Sequence, residues 1–177
     1  MLHRDRLIKT SRIVVRIASV ANRLLLLGIV LLLLWSFVFS GVFAEWIAQS
    51  SPADLRSSGL RSMMIGTRLV MLLGIAMTVA ADRLLAALAQ IIASTGAGDP
   101  FILANARRLQ TIGWSLLALQ LLDLPAALIN RFFPSIGSAG PNPTFSVGGW
   151  IAVLMVFVLS RIFAAGSAMR DDLEGTV

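Results

Sequence analysis

Apolar residues fall along this chain in four long blocks, not in the alternating or one-face patterns of a water-soluble domain. The blocks run from Leu24 to Ala44, Met63 to Ala81, Ile112 to Asn130 and Val147 to Ala165. At about 1.5 Å per helical residue, each is long enough to cross a hydrocarbon layer of about 30 Å. A lipid-spanning chain must satisfy its own backbone, which leaves only helices or a closed barrel. Barrel strands alternate every second residue, and these blocks do not. The pattern predicts an all-α polytopic membrane protein with four transmembrane helices.

The polar stretches organise the rest. Residues 1–23 carry Arg4, Arg6, Lys9, Arg12, Arg16 and Arg23 around an apolar stripe of Leu7, Ile8, Ile13, Val14, Ile17 and Val20. This reads as a basic amphipathic segment leading into the first span. A nucleic-acid arm is the alternative, but the stripe suits a lipid surface, so no direct nucleic-acid binding is expected. Val42-Phe43-Ala44 has the look of a signal-peptide cleavage site, yet the apolar core before it is too long for one. Ser51-Pro52 or Asp54 is placed to begin a small interfacial helix. The second helical pattern continues past Asp82 and Arg83 to Ser94, and Thr95-Gly-Ala-Gly98 makes a turn. Asp99 is then an N-cap and Pro100 a first helical residue. Helices two and three are thus expected to extend as a hairpin over residues 82–111. Pro125 lacks a donor and is expected to kink or loosen the third span. Residues 134–143, rich in Pro and Gly, form a loop, and residues 166–177 form a tail that includes Asp171, Asp172 and Glu174.

Charge then sets orientation. Segments 1–23, 82–111 and 161–177 hold eleven Lys and Arg; segments 45–62 and 131–146 hold three. The positive-inside rule puts both termini and the hairpin in the cytoplasm, with residues 24–165 read as a single membrane domain. Composition narrows the chemistry. The chain is 57% hydrophobic and 14% charged, against about 25% charged in soluble domains. It has no Cys, no Tyr and a single His, His3. Disulfides and thiolate metal sites are excluded, and no enzyme activity, cofactor or metal is expected.

Two charges lie well inside the expected spans; Arg161, near the inner end of the fourth, can snorkel. Arg68 is about 7.5 Å from the outer end of span two, and Asp123 is about 10 Å from the same side in span three. Each costs about 2.5–3.5 kcal/mol at a helix centre on insertion scales. Their depths match, so a salt bridge joined by Gln120, one turn from Asp123, is the first reading. Arg68 snorkelling to headgroups with Asp123 protonated is the second, and a ligand or proton site the third. Arg107 and Arg108 on the hairpin read as a solvated basic face, with anionic lipid or an acidic partner as the sharper alternatives. Asp99 joins them as a candidate partner contact. The small-residue spacings Ser36/Ser40 and Ala76/Ala80 leave a homo-oligomer open.

Gly98-Asp99-Pro100-Phe101, Asn105-Ala106-Arg107-Arg108-Leu109, Ile112-Gly113-Trp114 and the Phe163, Gly166, Met169 and Arg170 to Val177 end resemble the bacterial family called domain of unknown function 2975. The resemblance implies a small four-helix membrane protein whose gene often neighbours that of a helix-turn-helix regulator. It implies no activity and no catalytic residue. The leading expectation is a non-enzymatic membrane sensor or regulatory partner of such a regulator. The alternative is a small transporter or transporter subunit whose polar site is lined by Arg68, Gln120 and Asp123 beside the Pro125 break.

Overall fold

The apolar blocks are helical. The structure, a computed structural model, describes residues 2–50, 59–96, 102–134, 136 and 146–174, and these form five helices. They are α1 (Leu2–Val38), α2 (Ser40–Ser50), α3 (Leu60–Gly96), α4 (Leu103–Phe132) and α5 (Val147–Glu174). Four of them, all but α2, are long and apolar enough to cross a membrane. The chain is a multi-pass membrane protein. Its helices overrun the expected spans: α1 and α3 have 37 residues each, about 55 Å of helix against about 30 Å of hydrocarbon.

Local chemistry sets several of the ends. Gly59 holds a φ of +95°, which an L side chain resists, and its carbonyl accepts from Ser62 and Met63 to start α3. The Ser146 hydroxyl accepts from the Gly149 N–H, an N-cap for α5. Helix α4 passes through Pro125 without ending. The first apolar run departs from expectation. It is divided at Phe39, where α1 stops and α2 begins, although Phe39 still donates to Trp35 and accepts from Phe43. The Asp99-Pro100 helix start, the Ser51-Pro52-Asp54 segment and most of the 134–143 loop lie outside the described residues. The tail is helical as far as Glu174.

The chain divides into two compact units. The first comprises Leu24–Val79 and Gln120–Phe145. Its core has two clusters. Phe43 and Ile47, one turn apart on α2, pack with Met63 and Met71 of α3, flanked by Ile29, Leu33 and Trp35. Leu73 meets Ala126 and Ile129 of α4, with Leu69, Leu122 and Phe133 around them. Gly66 allows the closest approach: a methyl there would meet the Phe133 Cβ at 3.0 Å and collide with Ile136. The second unit comprises Met1–Arg23, Ala80–Leu119 and Ser146–Val177. Here α4 lies on α5, with Gly113 only 3.1 Å (as a built Cβ) from the Phe157 ring and Trp114 edge-on to the same ring at 5.4 Å. Large apolar side chains point outward in number, among them Leu24, Leu31, Leu124, Leu154 and Met155. On a soluble protein such a surface would be an aggregation hazard; in a bilayer lipid covers it.

Candidate functional site

In the first unit, Arg68 is held by α1, not by α4. Its Nε donates to the Ser36 hydroxyl at 3.2 Å, and Nη2 donates to the Ser36 carbonyl. Ser36 is fully buried, and its hydroxyl donates a hydrogen bond to the Leu33 carbonyl at 2.7 Å. The guanidinium also lies 4.2 Å from the Phe37 ring centroid and 5.9 Å from that of Phe43. Two hydrogen bonds to a charged donor, at about 1.5–3 kcal/mol each, and a cation–π contact of about 0.5–2 kcal/mol are together as large as the insertion cost of an arginine. The bonds lie beside the division of the first run: Ser36 is three residues before Phe39, and Ser40-Gly41, a pair at which helices kink, directly follows it.

The expected pair is therefore not formed. Arg68 and Asp123 make no ion pair, because the arginine is spent on a serine carbonyl. Asp123 is half-buried on α4 and has no hydrogen bond or ion pair among the described residues. Gln120, also half-buried, lies one turn before it on the same helix.

In the second unit the polar groups converge. Asn105 is fully buried, and its Oδ1 accepts from the Ser94 hydroxyl and from Arg108 Nη1, both at 2.8 Å. Arg108 also donates from Nε to Gln90 Oε1 at 3.1 Å and from Nη1 to the Gln90 carbonyl at 3.3 Å. These bonds tie the end of α3 to the start of α4. Arg108 is thus half-buried and fixed, not a freely solvated side chain; Arg107 is exposed. Ser160 of α5 donates to the Ala106 carbonyl at 3.0 Å, so the hairpin's second arm packs directly on the fourth apolar helix. Arg23 and Asp82 form an ion pair at 2.9 Å that the sequence reading did not join. The only hint of it was that Asp82 is the lone acid at the end of the second apolar block. Asp99, the remaining candidate contact, lies outside the described residues. Among the described residues no group of three His, Cys, Asp or Glu side chains could hold a metal ion.

The residues that carry the sequence resemblance now have physical roles. Asn105 knots the hairpin, Ala106 takes the Ser160 bond, and Gly113 and Trp114 receive Phe157. Comparison with curated proteins finds no match. Comparison with solved structures finds none either. The sequence model of the family described as "Protein of unknown function (DUF2975)" matches residues 53–177, well over half of the chain, and the protein belongs to that family.

Proposed function

We propose that the protein is a non-enzymatic sensor in the bacterial inner membrane that acts as the regulatory partner of a cytoplasmic helix-turn-helix regulator. The observation that carries this reading is helix continuity. Helix α1 runs without a break from its exposed basic stretch, with Lys9, Arg12 and Arg16, into the apolar stretch that follows Arg23. A displacement of the apolar part is passed along one unbroken helix to a surface where a partner can read it. That surface is two-sided: beside the basic residues, Ile13, Val14, Ile17 and Val20 are all more than half exposed. The positive-inside rule supports a cytoplasmic location for this segment, the hairpin and the tail. Choice of a helix-turn-helix partner rests on the gene neighbourhood that family membership implies. The transporter reading is weaker, because it needs Arg68, Gln120 and Asp123 around one cavity and Arg68 turns to Ser36 instead.

Flotation tests the proposal. The regulator encoded beside the gene should float with vesicles that contain the full-length protein and stay at the bottom with empty vesicles. Substitution of Lys9, Arg12 and Arg16 by Gln should reduce the floated fraction. Equal flotation with and without the protein, or none with either, would sink the regulator reading.

A further inference from the structure

We propose that the groove between α3 and α4 in the second unit binds the phosphate of an anionic phospholipid headgroup. The groove is a cavity of about 280 Å³ walled by Arg83 and Gln90 of α3 and by Arg107, Arg108 and Thr111 of α4, with Ala86 and Ala87 as its floor. Three arginines line one small space, and among the described residues no carboxylate lines it. Asp82, next to Arg83, is taken by Arg23. The side chains of Arg83 and Arg107 have no hydrogen bond or ion pair among the described residues. Arg108 bonds only to neutral acceptors, so its charge is held in place and not cancelled. Like charges fixed together repel, and an anion between them removes that repulsion. The planar fork of Arg matches phosphate oxygens better than any neutral group does.

The groove is also built in advance. Arg108 is oriented by Asn105, which is fully buried and held in turn by Ser94. The side chain therefore loses little freedom when an anion arrives. The small floor residues leave the long arginines room to close over it.

Position selects lipid over a soluble anion or an acidic protein. Ala106, next to Arg107, accepts from Ser160, and Ser160 is followed by the exposed Arg161, the first charge in the apolar run of α5. The groove thus stands level with the point where the fourth apolar helix meets its first charge. That is the depth of headgroups, and basic pockets between membrane helices there suit anionic lipids.

This inference does not depend on the regulator, because it is read on the purified protein alone. The full chain in neutral detergent is titrated with phosphatidylglycerol or phosphatidylcholine of matched acyl chains, and bound lipid is counted by native mass spectrometry. Phosphatidylglycerol should be retained in preference. Arg83→Gln with Arg107→Gln, which leaves the Arg108 bonds intact, should cut that preference roughly tenfold or more. Arg61→Gln with Arg131→Gln removes the same charge outside the groove and should leave the preference unchanged. Equal retention of the two lipids by the native chain, or equal loss in the two double variants, would overturn the proposal. So would displacement of phosphatidylglycerol by millimolar inorganic phosphate, which would make the groove a site for a free anion. A groove that the regulator protects and that shows no lipid preference would make it a protein-docking site instead.

Discussion

The two units of this chain are held together by different means, although α3 and α4 contribute to both. In the unit built from Leu24–Val79 and Gln120–Phe145, side chains interlock: Phe43, Met63 and Ala126 are 2% exposed or less, and Gly66 lets the chains close up. In the other, the same helix pair is joined by the Ser94, Asn105, Arg108 and Gln90 hydrogen bonds, and α5 by the bond from Ser160. Membrane helices gain little from burying apolar surface, because lipid is as apolar as leucine. Packing detail and hydrogen bonds remain, and each unit relies mainly on one of them. Among the described residues, the polar-bonded unit also gathers Arg83, Arg107 and Arg108 around one groove, so the proposed lipid site lies where the hydrogen bonds are.

Three substitutions test this contrast, read as thermal unfolding of the purified chain in detergent. The largest loss is expected from Phe43→Ala, which opens a cavity where a fully buried ring touches Trp35 and Ile47; about 3 kcal/mol is expected. Next is Asn105→Leu, which takes one acceptor from the Ser94 hydroxyl and one from Arg108 and should cost about 2 kcal/mol. Asn105→Asp keeps the acceptor and should lose less; if Leu were as stable as Asn at this position, the polar network would not be what holds the unit. The smallest effect belongs to Asp82→Asn. Its pair with Arg23 has side chains 31% and 63% exposed, so the loss should stay under about 1 kcal/mol and shrink further in high salt. A loss as large as that of Asn105→Leu would show the ion pair to be a principal tie of this unit.

The four apolar helices were legible in the sequence because block length alone separates a span from a soluble helix. Arg68 was misjudged on its partner. A search for compensation among charges finds Asp123, whereas the guanidinium took a backbone carbonyl, which every residue carries and no sequence pattern marks. The break at Phe39 was missed with it: Ser40-Gly41, a pair at which helices kink, follows it directly, and the Arg68 bonds beside it come from 32 residues away. Asn105 could be quoted as part of a motif, but its burial depends on Ser94 across the hairpin. Arg108 looked like surface charge for the same reason. Residues whose role is set by their own helix could be read; those whose role is set by a neighbour could not.

The bond from Arg68 to Ser36 also imposes an order on biosynthesis. The chain is made from its N-terminus, so the first apolar helix leaves the ribosome before Arg68 has been added. At roughly 5–20 residues per second, the 32 residues between them take roughly 2–6 s. During that interval the Ser36 carbonyl lacks its arginine. Arrival of the second helix delivers a charge to a waiting acceptor, so this polar contact of the first helix is completed only once the second is made.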